Sequence, residues 1–167
     1  MFVYPMNKQS VKTILIPIDF TIASLYTLRQ VLEHYETAQV KIVLMYADRL
    51  NDSISDLLFD SSYKKVLSLT SPEFQEALYI LKNRFETIIH SIRIELFHGN
   101  NVNAFKNFIG GNHIDMIYIP KGYDLKLKAN GFNPIPLIKK SRIPLQEIEW
   151  ISRSNNTDPD QLNSLFK

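Results

Sequence analysis

The sequence predicts an α/β domain: a doubly wound, open sheet of about five mainly parallel strands with helices on both faces. Three observations carry this. Residues 12–18 and 40–46, KTILIPI and VKIVLMY, are short apolar runs bounded by polar residues, the form of strands buried on both faces. Between them, Ile22, Leu25, Leu28, Leu32 and Tyr35 recur at three or four residues, so one face of a helix is apolar. Strand, helix and strand within about 35 residues make a βαβ unit, with parallel strands and a right-handed crossover.

The elements follow in order. Thr21 is expected to cap the first helix, its hydroxyl accepting from an amide of the first turn. Residues 47–71 are polar with apolar islands at Leu57, Leu58 and Phe59 and at Val66, Leu67 and Leu69, which predicts a mobile or partly helical excursion. A second helix starts at Thr70-Ser71-Pro72-Glu73, with Thr70 as cap, proline in the first turn and glutamate at its third position. Its apolar stripe is Phe74, Ala77, Leu78, Leu81, Phe85, Ile88 and Ile89. A third strand is predicted over 92–97. Asn101 or Asn103 caps a short helix carrying Val102, Phe105, Phe108 and Ile109, stopped by Gly110-Gly111. A fourth strand covers 114–119. The last candidate, PLQEIEWI at 144–151, alternates: Leu145, Glu147 and Glu149 against Gln146, Ile148 and Trp150. Alternation predicts an edge strand with one wet or shared face. Leu145, Ile148 and Trp150 are therefore candidates for a dimer edge. One domain spans 1–151, and residues 152–167 read as a loose polar tail.

Bulk properties exclude several classes. The 167 residues suit one core, and a formal net charge of +2 is too small to point to nucleic acid. The chain has no cysteine, which rules out disulfides, thiolate metal sites and cysteine nucleophiles. The opening MFVYPMNKQSVK lacks the basic region and long apolar run of a signal peptide. No stretch approaches the roughly 18 apolar residues of a membrane helix, so a cytoplasmic protein is expected. His34, His90, His98 and His113 are scattered without metal-ligand spacing, and no metal is expected. No Walker loop, G-x-G-x-x-G or G-x-S-x-G occurs, which argues against an enzyme.

The stretch ILIPIDFTIASLYTLRQVL at 14–32 carries a resemblance. It is similar to the opening strand, Pro-x-Asp turn and first helix of the universal stress protein family, and the likeness runs over residues 12–151. The resemblance implies that family's five-stranded parallel sheet of the adenine nucleotide alpha hydrolase-like type, and a homodimer through the last strand. It also implies one of two branches, of which one binds ATP. Pro17 and Asp19 match the family's turn, whose aspartate lies near nucleotide in the ATP branch. The family's phosphate loop reads G-x-x-G-x9-G-[ST]. Gly122 and Gly131 match its second and third glycines, one residue too close together. Ile119 stands at the first glycine and Phe132 at the hydroxyl residue. Ser141-Arg142-Ile143-Pro144 stands where the family approaches its last strand through Ser-Pro-x-Pro.

These departures have physical weight. Isoleucine resists the positive φ a phosphate-binding glycine can adopt, and a phenyl ring cannot bond a phosphate oxygen. Pro134 and Pro136 remove amide donors from the helix that follows. The sequence thus predicts a stress-response or signalling protein, non-enzymatic and homodimeric, with no cofactor. The alternative is a member that binds ATP or AMP with magnesium, or another anion, through an altered loop. Its cleft would be lined by Pro17, Asp19, Met45, Tyr46, Lys121, Gly122 and Gly131. Asp19 then contacts magnesium or ribose; otherwise it accepts amides at the start of the first helix. Lys121, Lys126, Lys128, Lys139, Lys140 and Arg142 against Asp124 read as a solvated basic loop, without the aromatic platform that nucleic acid needs.

Overall fold

The computed structural model describes residues 10–50, 61–128, 130–151 and 158–166. Strands β1 (Lys12–Pro17), β2 (Val40–Ala47), β3 (Ile89–Phe97), β4 (Met116–Lys121) and β5 (Leu145–Glu149) form one sheet in the order β3-β2-β1-β4-β5. All four pairings are parallel. The helices are α1 (Leu25–His34), α2 (Ser62–Leu69), α3 (Pro72–Arg84), α4 (Val102–Gly111), α5 (Ile135–Lys140) and α6 (Leu162–Leu165).

The period of two in β1 and β2 sorts their side chains onto two cores. Ile14, Ile16, Ile42, Leu44 and Tyr46 face α1 and α3, where they meet Leu28, Leu32, Phe74 and Leu81. Leu15, Val43, Met45 and Ala47 face α4 and α5, where they meet Phe105, Ile109 and Ile138. Both faces being covered explains why these strands read as unbroken apolar runs. The expected doubly wound α/β architecture is what the chain adopts. Among the described residues, no helix is long and apolar enough to cross a membrane.

Several local expectations shift. Thr21 does accept from the Ser24 amide at 3.2 Å, but this closes a turn at 22–24, and α1 begins only at Leu25. The cap of α3 is Ser71, whose hydroxyl accepts from the Phe74 amide at 3.1 Å. Thr70 instead ends α2 and donates its hydroxyl to the Val66 carbonyl at 2.6 Å. One residue decides it: Pro72 fits the first helical position, which makes Ser71 the cap. Asn101 caps α4, accepting from the Ala104 amide at 2.9 Å. Gly110 and Gly111 lie in the last turn of α4 rather than beyond it. β3 starts three residues earlier than predicted and β4 two later. The helical part of the excursion is α2; Leu57, Leu58 and Phe59 lie outside the described residues.

The tail requires a larger correction. Residues 158–166 dock rather than dangle. Leu165 and Ser164 are completely buried, and Leu165 joins the α1/α3 core. The Leu165 carbonyl accepts from the buried guanidinium of Arg29 at 2.6 Å. The apolar residues of LNSLF sit close enough on one helical turn to dock, a pattern masked by the polar residues before them.

Candidate ligand cleft at the carboxyl ends of the strands

The chain leaves β1 to one side for β2 and returns on the other side at β4. In open α/β sheets the crevice for ligands opens at such a switch point, beyond the carboxyl ends of the strands. Asp19 stands there, two residues past β1 and fully buried. Phe20 beside it takes φ +62°, a left-handed conformation that costs a non-glycine residue about 1–3 kcal/mol. Phe20 offsets this by packing its ring at 5.1 Å from Tyr46 and 5.5 Å from Phe74.

Both Asp19 oxygens are consumed within the chain. Oδ1 accepts from the Thr21 amide at 2.8 Å and the Thr21 hydroxyl at 2.6 Å. Oδ2 accepts from the Tyr123 hydroxyl at 2.6 Å and the Lys126 amide at 2.7 Å. Tyr123 and Lys126 belong to the loop that follows β4, so the loop folds back over the aspartate. Burial, and then the bond to Asp19, push the Tyr123 phenol well above its ordinary pKa. It therefore stays protonated and keeps donating.

The rest of the loop is strapped across β2. The Tyr46 hydroxyl donates to the Lys128 carbonyl at 3.1 Å and accepts from the Lys128 amide at 3.2 Å. The Arg49 amide donates to the Asn130 carbonyl at 2.9 Å, and the Phe132 amide to the Ala47 carbonyl at 3.0 Å. Asp48 and Gly131 form an antiparallel bridge. The carboxyl ends of β1 and β2 are thus crossed by the chain's own backbone. A shallow cleft of about 190 Å³ remains on the outer side of the loop, lined by Lys121, Gly122, Asn133 and Lys139 among others.

The candidate residues separate accordingly. Asp19 and Tyr46 lie under the loop, and Gly131 within the loop sits against the Tyr46 hydroxyl. Pro17 ends β1, buried in register with Met45. Met45 lies in the α4/α5 core and offers the cleft no surface. Lys121 is exposed and pairs with Glu149 at 2.7 Å. Both glycines have structural grounds within the chain itself. Gly122 takes φ +83°, where side chains are strained. At Gly131 any Cβ would collide with the Tyr46 hydroxyl. Gly131→Ala is therefore expected to destabilise the fold by about 1–3 kcal/mol. Adding Tyr46→Phe, which removes the obstructing oxygen, should recover part of that loss in a urea titration. Ile119, at the position of the family's first glycine, is a buried residue within β4.

Three of the six cations of the basic loop, Lys121 among them, form ion pairs. Lys126 meets Asp160 at 2.7 Å and Lys139 meets Glu147 at 2.8 Å. The bond to Asp160 raises the Lys126 pKa and the bond to Lys139 lowers that of Glu147. Sequence reasoning missed Tyr123 as a structural residue. Its ring stacks on Trp150 at 5.0 Å and 20°, and Trp150 meets Tyr26 at 5.1 Å on its other contact. The Trp150 indole donates to the Ala23 carbonyl at 2.9 Å. Asp160, which also accepts from the Ala23 amide at 3.3 Å, had no sequence signal at all. The proposed dimer-edge side chains face inward: Ile148 and Trp150 pack on the α1/α3 core and Leu145 on the other. His34 and His98 meet the carbonyls of Gln30 and Asp48 through Nδ1. Among the described residues, no three acidic or histidine side chains cluster at metal-binding distance.

No protein-family model matches the chain. No curated protein sequence matches it either. Solved structures do. The hypothetical protein MJ0577 superposes with a TM-score of 0.52 at 19% identity, over 87% of this chain and 98% of that one. The universal stress protein UspA from Lactobacillus plantarum superposes with a TM-score of 0.52 at 12% identity, over 83% of this chain and 97% of that one. At such identities the likeness speaks to architecture, and the chain has the fold of universal stress proteins.

Proposed function

We propose that this is a divergent universal stress protein that does not bind ATP in the family's usual mode and acts without catalysis, through protein contacts in a stress response or in signalling. One observation carries the reading: the Asp19 carboxylate is saturated by Thr21, Tyr123 and Lys126. A ligand seeking that aspartate has to displace a tyrosine stacked on Trp150 and a backbone held to Tyr46. The absence of a glycine at Ile119 and of a hydroxyl at Phe132 supports the same conclusion, since phosphate recognition needs close backbone approach and donors.

The test is mass spectrometry of small molecules released from the purified protein, with a thermal melt in magnesium and ATP. No adenine nucleotide should be released, and the melting temperature should not move. A site filled at 100 times its Kd would add about 2.7 kcal/mol of stability, an effect easily read. Nucleotide release, or such a shift abolished by Asp19→Ala, would establish the alternative: a nucleotide- or anion-binding protein with an altered loop.

A further inference from the structure

Asn130-Gly131, in the stretch of loop that crosses β2, is the one Asn-Gly pair in the sequence. Such a pair carries its own chemistry. A glycine has no side chain to hinder its peptide nitrogen, which can attack the amide carbon of the asparagine before it. The glycine is required here, because a Cβ at this position would collide with the Tyr46 hydroxyl. The fold then decides whether the attack proceeds. The Gly131 amide donates to the Lys128 carbonyl at 2.8 Å, so the attacking nitrogen is engaged. The Arg49 amide donates to the Asn130 carbonyl and the Phe132 amide to the Ala47 carbonyl, and the Asp48–Gly131 bridge lies between these bonds. The Tyr46 hydroxyl holds Lys128 by both its amide and its carbonyl. Attack requires the Gly131 nitrogen to give up its proton and swing against the Asn130 side chain, and this closed strap opposes both.

We propose that Asn130 is a self-modification site: it deamidates when the strap across β2 opens, and the isoaspartate so formed keeps the strap from closing again. The Gly131 nitrogen bonds to Asn130 Cγ, and its proton leaves with Nδ2 as ammonia, which closes a succinimide ring. Water then opens the ring. Attack at Cγ breaks the new bond and leaves an ordinary aspartate at position 130. Attack at the main-chain carbonyl carbon breaks the original peptide bond and leaves isoaspartate, linked to Gly131 through Cγ. Overall, one water is taken up and one ammonia released. The two products act differently on the strap. Aspartate keeps the main chain as it was. Isoaspartate adds a methylene to the main chain between the two bonds that set the register with residues 47–49, and it turns the carbonyl that the Arg49 amide uses into a free carboxylate. Local opening of this kind precedes global unfolding in folded chains, so the site records how long the strap has stood open. The inference stands apart from whether the cleft holds nucleotide.

The test incubates the full chain in warm, mildly alkaline buffer beside a synthetic peptide of residues 126–134. Both are mapped by mass spectrometry, with an isoaspartyl methyltransferase label to separate isoaspartate from aspartate. Asn130 should convert in both, but about tenfold or more slowly in the chain, where it reacts only while the hydrogen bonds around it are broken. Asn163-Ser164, held in α6, is the internal reference and should stay intact. Tyr46→Phe should speed conversion in the chain about three- to tenfold, the gain in open population when an ordinary hydrogen bond is lost. Ile109→Ala, which weakens the α4/α5 core instead, should not; circular dichroism checks that both variants are folded. The isoaspartate form, separated by ion exchange, should show altered Trp150 emission and a lower urea midpoint, and Asn130→Asp should show neither. Conversion as fast in the chain as in the peptide, equal rates in the parent and Tyr46→Phe (zero included), equal acceleration by Ile109→Ala, or an isoaspartate form as stable as Asn130→Asp would each overturn the proposal.

Discussion

Asp19→Ala is expected to lower the unfolding free energy by about 3–5 kcal/mol in the absence of any ligand. The substitution removes an acceptor for four donors, of which the Thr21 and Lys126 amides and the Tyr123 hydroxyl lie around a fully buried position. Each orphaned buried donor costs about 1–3 kcal/mol, and bonds to a charged acceptor are the stronger kind. Part of this is recovered where the loop relaxes and water reaches Lys126, whose side chain is exposed. The outcome discriminates between roles. A carboxylate kept for a ligand tends to be destabilising when no ligand is bound, so its removal is neutral or favourable. A carboxylate that holds its own loop behaves in the opposite way. Urea titration followed through Trp150 reads both the stability and the loop, because this single tryptophan stacks on Tyr123. A loss under about 1 kcal/mol, the scale of one ordinary hydrogen bond, would mean that the strap over the cleft is not held by Asp19.

Leu165→Ala is expected to cost about 2–5 kcal/mol, the range for a leucine removed from a closed core. Leu165 has no exposed surface and belongs to the α1/α3 core, so the lost methyl groups leave a cavity under neighbours already packed on other partners. The loss should carry further than the cavity. Arg29 is buried and donates to the Leu165 carbonyl, while Asp160 in the same segment holds Lys126 and the Ala23 amide. Loosening the segment removes support from the loop over Asp19, and Trp150 emission should change before global unfolding. Equilibrium denaturation of the variant beside the parent chain checks this. A shift within about 0.5 kcal/mol, usual for exposed positions, would return residues 158–166 to the loose tail that their composition suggests.

The sheet and most of its helices were legible because their signals are local and redundant. Ile14, Leu15 and Ile16 need apolar surroundings on both sides whatever the partner, and Leu25, Leu28 and Leu32 mark a helical face by spacing alone. The edge position of β5 was legible from its alternation. Cap positions were off by one residue at Thr70 and Ser71, since either hydroxyl satisfies the pattern and only the seat of Pro72 distinguishes them. The candidate site was half legible. Pro17, Asp19 and the loop around Gly122 and Gly131 were identified at the right end of the sheet, but the glycines read as remnants of a phosphate loop. Their backbone geometry gives other grounds, a left-handed turn at Gly122 and the Tyr46 hydroxyl against Gly131.

Periodicity, turn residues and strand composition act over a few residues, so the chain carried its class, its element order and the place of its cleft in plain view. The pairing of Tyr123 and Lys126 with Asp19 spans more than 100 residues, and that of Leu165 with Arg29 spans 136. No local preference encodes such partners. They arise when two packed faces bring distant groups into one buried space, where an unpaired carboxylate or guanidinium is too costly to leave alone. That requirement is met by the loop after β4 and by residues 158–166.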